Sequence, residues 1–96
     1  MATTQFAFCV MSPEIEAPYR TAAVVESETV SGTNAATASA ATNAHNVCRV
    51  ATDTAVYVSF GSAPNAGTDT VRFLCPANSV SFFRIKAGDK AAAITV

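Results

Sequence analysis

The sequence contains no tryptophan, one leucine and few charged residues, which make up 14% of its 96 positions. An ordinary soluble domain carries about 25% charged residues. Half of the residues count as hydrophobic, but 20 of them are alanine, so few bulky side chains remain to build a core. A chain of this length buries only roughly 60–68% of its unfolded surface. We therefore expect one small domain with a thin core, and no second domain with a cofactor fold of its own.

Positive charge is scarce and dispersed. Six Lys and Arg residues stand against seven Asp and Glu residues, which gives a net charge of −1. Arg84, Lys86 and Lys90 come nearest to a basic patch, but Asp89 lies among them. Proteins that bind nucleic acid need a basic surface. We therefore expect no nucleic-acid partner.

The sequence also lacks the composition of a targeting or membrane-spanning segment. The first basic residue is Arg20, so the amino terminus has no positively charged signal region. The longest stretch without formal charge, residues 29–48, consists largely of Thr, Ser, Asn and Ala. Such polar side chains are unsuited to hydrocarbon. We expect no membrane partner.

The cysteines are few, and their spacing indicates neither disulfides nor a metal site. Cys9, Cys48 and Cys75 are odd in number and far apart. Together with His45 they have the residue types of a zinc site, but such sites usually contain paired C-x-x-C motifs. We interpret the thiols as small buried side chains and expect no metal and no other cofactor.

Two further sets of residues have types used in catalysis. His45 and Cys48 could act as base and nucleophile, but no glycine-rich turn lies near any cysteine. The acidic pairs Glu14/Glu16 and Glu26/Glu28 could do acid–base work in a cleft. Their spacing is more typical of the exposed face of an edge strand, where charge discourages unwanted pairing. We expect no catalytic residues and no enzymatic activity.

The residues that are abundant favour β-structure. Thr, Val and Ile supply 26 positions, whereas the good helix formers other than alanine are scarce. Large side chains alternate with a period of two in residues 5–10, 55–60 and 79–85. No convincing stripe has helical spacing. The pattern predicts an all-β fold, a small antiparallel β-sandwich or β-barrel of about six to eight short strands.

The single domain, residues 1–96, divides into three regions. Turn residues at 52–54, 61–70, 76–78 and 87–89 separate five short runs, which predict a C-terminal β-meander over residues 46–96, with 52–54 short enough for a hairpin. Residues 1–32 form an N-terminal strand or arm region with an irregular crossing near Glu14. Residues 33–45 are low in complexity and suit a linker, a loop, a segment ordered by a neighbour or a short helix. We favour an ordered or partly mobile loop.

Adjacent phenylalanines give the most informative local pattern. Phe82 and Phe83 must point to opposite faces of one strand, so one of them faces another layer, another subunit or solvent. Low charge suits a buried interface, and oligomerisation gives a small domain the burial that it lacks alone. We predict a homo-oligomer or a subunit of a larger lattice. The predicted interface residues are Phe6, Phe8, Tyr57, Phe82 and Phe83.

Residues 47–94 carry a resemblance. They contain VCRVATDTAVYVSFG, followed by RFLCPANSVSFFRIKAGDKAAAI. This resembles the small accessory virion proteins of tailed bacteriophages, of the decoration (cement) or head-fibre type, in which a strand like AVYVSFG precedes L-x-PA…V-x-FF-x-I…GDK-x-A-x-I. The resemblance covers about half of the chain, and residues 1–33 carry no matching motif.

The resemblance implies a non-enzymatic structural virion protein. Such a protein is made in the host cytoplasm, binds the outer surface of the capsid and stabilises contacts between major capsid proteins. The alternative is a β-sandwich binding module, a receptor or carbohydrate adhesin of a head fibre or tail. It would present Tyr57, Asn65 and neighbouring loop residues to its ligand, although the absence of tryptophan disfavours stacking on sugars.

Overall fold

The computed structural model describes residues 2–9, 11–12, 15–18, 24–42 and 46–96. Strands run through these residues in the order β1 (Thr3–Cys9), β2 (Met11–Ser12), β3 (Ile15–Pro18), β4 (Val24–Thr29), β5 (Ala35–Ala36), β6 (Val47–Thr52), β7 (Val56–Gly61), β8 (Phe73–Cys75), β9 (Ser79–Arg84) and β10 (Lys90–Thr95). The described residues form no helix, and therefore none of the length and apolarity needed to cross a bilayer.

Eight of these strands form a β-sandwich of two four-stranded antiparallel sheets. The first sheet has the order β4-β1-β6-β9, and the second sheet has the order β5-β10-β7-β8. β2 and β3 pair with each other as a short ribbon where the sequence predicts an irregular crossing. The prediction of a small all-β sandwich is confirmed, and the sheets are not closed into a barrel.

The five strands predicted over residues 46–96 are present, but the predicted meander is wrong. β6 pairs with β9 in the first sheet, whereas β7 pairs with β8 and β10 in the second. The connection at residues 52–54 therefore crosses between sheets and forms no hairpin. Two hydrogen bonds hold the end of β6 beside β1. The Thr3 amide donates to the Asp53 carboxylate at 2.8 Å, and the Asp53 amide donates to the Thr3 carbonyl at 3.2 Å.

The core lies between the sheets and follows the period-two alternation of the strands. Its buried side chains come from both sheets and from two connecting segments: Phe6, Phe8, Val30, Ala41, Cys48, Val50, Val56, Val58, Cys75, Ala91 and Ala93. Phe6 and Phe8 are the largest of them. Full burial of one such ring contributes roughly 1.5–3 kcal/mol, so these two side chains are a large part of a thin core.

Over β7 and β10, the outer face of the second sheet is covered by the chain itself. Arg72 lies over the ring of Tyr57, 4.1 Å from its centroid, and donates to the Ala66 carbonyl at 3.0 Å. Asn34 donates to the Pro64 carbonyl at 3.3 Å and accepts from the Ala66 amide at 2.8 Å. Residues 62–72 are thereby held over β7 and β10.

The low-complexity segment, residues 33–45, is ordered by its neighbours over its described part. Ala35 and Ala36 pair with β10 as the short strand β5. The Thr37 amide then donates to the Ala91 carbonyl at 2.8 Å, and the Ala41 amide donates to the Asp89 carbonyl at 2.7 Å. This is the predicted ordered loop, with the addition of a strand. Residues 43–45 lie outside the described part of the chain.

Candidate functional site

The two long sides of the sandwich, where edge strands of the two sheets meet, differ in construction. On one side β4 of the first sheet lies near β5 of the second, and residues 37–42 follow them. We term these elements the closed side. On the other side β9 of the first sheet meets β8 of the second. We term β8, β9 and Val71, which lies two residues before β8, the open side.

A hydrogen-bonded tether fastens the closed side. The carboxylate of Glu26 in β4 accepts the Ala38 amide at 3.1 Å and the Ser39 amide at 2.8 Å. Partial burial raises the pKa of Glu26, but these two amides more than offset it and hold the pKa below its ordinary value. Burial and the charge of Glu26 instead raise the pKa of Glu28. Glu26 is thus a structural acceptor as well as a charge on the predicted edge strand.

Aromatic rings fill the gap between the sheets on the open side. The ring of Phe83 in β9 lies 5.2 Å from that of Phe60 and 5.0 Å from that of Phe73, centroid to centroid. Phe60 and Phe83 both pack against the core. Tilted ring pairs at this spacing add about 0.5–1.5 kcal/mol to the free energy of burial. The open side is therefore held by apolar contact between these rings, with a side-chain hydrogen bond between Cys75 of β8 and Ser81 of β9 beside them.

Large apolar side chains are exposed on the outside of the same region. The described part of the chain exposes seven of them, and five lie on the open side: Val71 (69%), Phe73 (43%), Leu74 (57%), Val80 (49%) and Phe82 (50%). Single exposed hydrophobic residues are ordinary. Val80 and Phe82 lie on the outer face of the first sheet, whereas Leu74 lies opposite Tyr57 on the outer face of the second sheet, so this apolar surface extends around the edge of the sandwich. Its concentration at one edge of a small domain marks a surface for interaction with another molecule.

Among the described residues β9 pairs with β6 alone, so its other edge adds backbone groups without a strand partner to this surface. The amide of Ile85 donates to the Asn46 carbonyl at 3.1 Å, next to the β6 pairing. Because amides alternate in direction along a strand, those of Val80, Phe82 and Arg84 point away from β6, at the free edge. β9 contains no proline and no acidic residue, and its one charged residue is Arg84 at its end. Proline and charged side chains are means by which sheet edges commonly avoid pairing with another chain.

The predicted interface residues separate into three environments. Phe6 and Phe8 are 0% and 1% exposed in the core, so their prediction as interface residues is wrong. The reason is that β1 lies between β4 and β6, with both rings on its inner face. Phe83 faces inward and Tyr57 is half-buried under Arg72. Only Phe82 lies on the open side with its ring half exposed.

The prediction missed four members of the open side: Val71, Phe73, Leu74 and Val80. Phe73 and Leu74 are adjacent in one strand, which is the same pattern that drew attention to Phe82 and Phe83. Val80 stands two residues before Phe82 and shares its face. The missing information was that β8 and β9 are edge strands, because this depends on pairing between distant parts of the chain.

The cysteines have the properties of core residues. All three are free and buried. Burial raises the pKa of the Cys48 thiol to about 12 and also raises the pKa of Cys9 and of Cys75. A protonated thiol is a poor nucleophile and a poor metal ligand. The ranges that the structure describes bring together no group of three or more His, Cys, Asp and Glu residues able to hold a metal. His45, Glu14 and the side chain of Glu16 lie outside the described residues.

A shallow cleft of about 430 Å³ adjoins the open side. It is lined by Phe60, Gly61, Ser62, Ala63, Pro64, Asp69, Thr70 and Val71. The two residues named for the adhesin alternative do not line it. Tyr57 is covered by Arg72, and the Asn65 side chain accepts the Gly67 amide at 3.0 Å. Both are engaged in holding residues 62–72 in place.

No family model, no curated protein and no solved structure matches this chain. The resemblance to phage decoration proteins therefore stays a prediction from the motifs in residues 47–94.

Proposed function

We propose that this protein is a non-enzymatic structural protein that assembles onto a larger protein surface through the open side of its sandwich. The observation that carries this proposal is the concentration of five exposed, large apolar side chains on β8, on β9 and at Val71. Covering one half-exposed side chain of this size contributes roughly 1 kcal/mol to the free energy of binding. A protein that acts by assembly has a use for such a surface.

The charge of the open side supports a protein partner. Arg84 is the one charged residue within β8 and β9. The centre of a protein–protein interface is depleted in charge and enriched in aromatic side chains, and Phe73 and Phe82 supply these. The same surface has no basic cluster that would favour nucleic acid.

The sequence resemblance supports a capsid as the larger surface. The resembling segments span residues 47–94, from β6 to β10, with the AVYVSFG motif in β7 and the later motif across β8, β9 and β10. Within them, β7, β8 and β9 build the open side and the ring cluster behind it. The proposed partner is accordingly the major capsid protein. The chain is made in the host cytoplasm, decorates the outer capsid surface and stabilises contacts between capsid subunits.

Co-sedimentation with capsids tests the proposal. Purified protein mixed with capsids assembled from the major capsid protein of the same phage should sediment with them at a fixed, high copy number. It should also raise the temperature at which the particles break open. Absence of binding contradicts the proposal. Binding in only a few copies, at one vertex or on the tail, contradicts decoration and favours the adhesin alternative.

Two variants locate the binding surface. Leu74→Lys places a charge on the open side, whereas Val25→Lys places one on the opposite edge strand, β4. The native side chains are 57% and 52% exposed, so the two substitutions are matched in burial. We expect L74K to weaken capsid binding by at least about tenfold and V25K to leave it unchanged. Equal binding by both variants contradicts the assignment of the open side.

A further inference from the structure

We propose that β9 pairs with β9 of a second copy of this chain, antiparallel about a two-fold axis, so that the two first sheets join into one continuous sheet. This inference deepens the proposed function and rests on it, since it assigns a partner to one strand of the open side. Leu74 and Val71, on and before β8, remain for the larger surface.

The free edge of β9 determines the register of this pairing. The amides and carbonyls of Val80, Phe82 and Arg84 are the ones that point away from β6, as the Ile85–Asn46 hydrogen bond shows by alternation. Antiparallel pairing centred on Phe82 sets Phe82 opposite its own counterpart, and Val80 opposite Arg84 of the second copy. All three amides of each copy then meet a carbonyl of the other. A register shifted by two residues leaves Arg84 beyond the end of the partner strand.

The side chains agree with this register. Val80, Phe82 and Arg84 share the outer face of the first sheet, where Val80 and Phe82 are about half exposed. Two Phe82 rings would meet across the axis, with the Val80 side chain and the Arg84 stem on either side. Aromatic cross-strand pairs of this kind stabilise antiparallel sheets.

Charge favours a second copy in the antiparallel orientation. The two ends of β9 differ in charge. Arg84 is the last residue at one end. At the other end Ser79 pairs with Thr52 of β6, and Asp53 follows Thr52. The two-fold arrangement separates the two Arg84 residues by four positions, about 13 Å along the strands. It also brings each Arg84 toward the Asp53 end of the other copy. A parallel arrangement would instead set like charges together.

Disulfide trapping tests the register. Directly opposite residues in a hydrogen-bonded antiparallel pair have Cα atoms about 5.5 Å apart, within disulfide reach. Phe82→Cys should therefore give a covalent dimer under mild oxidation, reversed by reductant on a denaturing gel. Val80→Cys should stay unlinked, because the two introduced thiols would lie about four residues apart. The native cysteines are buried and serve as an internal control.

Light scattering and sedimentation equilibrium test the interface itself. Wild-type protein should show a concentration-dependent dimer. Phe82→Lys should weaken self-association by about 100-fold, since it removes the aromatic pair and sets two lysines opposite each other. Val25→Lys is the matched control, because Val25 lies on the far edge strand of the same sheet at 52% exposure against 50% for Phe82. Circular dichroism should show both variants folded.

The outcomes separate this inference from the proposed function. A wild-type chain that is monomeric at all concentrations overturns β9 pairing, as does a dimer that F82K leaves intact or cross-linking of V80C as readily as F82C. Capsid binding is measured separately. A monomer that still co-sediments with capsids overturns β9 pairing alone, whereas a dimer that binds no capsid overturns only the proposed function.

Discussion

The closed and open sides of the sandwich differ in the contacts that join the edge strands of the two sheets. On the closed side the Glu26 side chain accepts two amides from residues 38 and 39, and β5 covers the edge of β10. On the open side the rings of Phe60, Phe73 and Phe83 fill the gap, and no segment of the described chain pairs with β9 beyond β6. One side is completed from within, and the other ends in apolar surface.

This difference indicates where the protein has binding free energy to gain. The amides of residues 37, 38, 39 and 41 at the closed side already have acceptors, so a partner that displaced this segment would replace existing hydrogen bonds and gain little. At the open side a partner would cover half-exposed Val80 and Phe82 and supply acceptors to free amides. Edge protection follows the same division, since β4 carries Glu26 and Glu28 and β9 carries neither acid nor proline.

Among the substitutions that test this comparison, we expect Phe83→Ala to have the largest effect on the free energy of unfolding. Phe83 packs on the core and touches two other rings, so its removal opens a cavity between β8 and β9. We expect the free energy of unfolding to fall by about 3 kcal/mol, measured by denaturant titration. A loss as small as that of a surface substitution would show that the ring cluster does not hold the open side together.

Phe82→Ala is the control for this prediction because it makes the same change one residue earlier. Phe82 faces outward and is half exposed. At dilutions where the protein is monomeric, we expect the free energy of unfolding to change by less than about 1 kcal/mol. The pair of variants thus separates the inner, stabilising face of β9 from its outer face. Similar losses in both would break the distinction.

On the closed side the corresponding variant is Glu26→Gln. It removes the charge that accepts the Ala38 and Ser39 amides while keeping the size of the side chain. We expect a loss of about 1 kcal/mol in the free energy of unfolding, together with faster hydrogen exchange of these two amides. Glu28→Gln is the matched control, and its amide exchange at residues 38 and 39 should be unchanged. Equal effects of both variants would mean that charge density, rather than the tether, matters.

The sequence predicts the local features of this comparison well. Alternation is a property of each strand alone, so the strand positions and the opposed directions of Phe82 and Phe83 follow from spacing. Burial confirms this, with Phe82 half exposed and Phe83 packed on the core. The all-β fold also follows, because a chain rich in β-branched residues favours sheets, which bury their few large side chains in a sandwich or a barrel. The choice of the sandwich comes from the strand pairing.

The features that the sequence did not predict depend on pairing between distant segments. Whether Phe6 lies in a core or an interface depends on β1 being flanked by β4 and β6, whose residues are distant along the chain. Likewise, residues 52–54 have the length of a hairpin, but β6 and β7 pair in different sheets, and hydrogen bonds between Thr3 and Asp53 hold the start of the crossing. The role of Glu26 as an acceptor for residues 38 and 39 is equally non-local.

The smallest expected effect concerns the pH dependence of the closed side. The folded pKa of Glu26 lies below its ordinary value near 4.5, because the two amides outweigh partial burial. The ionised carboxylate therefore stabilises the folded state above that value, and this contribution is lost as the pH falls through the folded pKa. The difference in unfolding free energy between wild type and E26Q should be full at pH 7 and shrink below pH 4.5. The pKa of Glu28 is raised in the folded state, so E28Q should slightly increase the free energy of unfolding at pH 7. This increase should disappear on acidification. A difference between wild type and E26Q that stays constant down to pH 3 would show that the tether acts through shape, and that the charge of Glu26 does not stabilise the closed side.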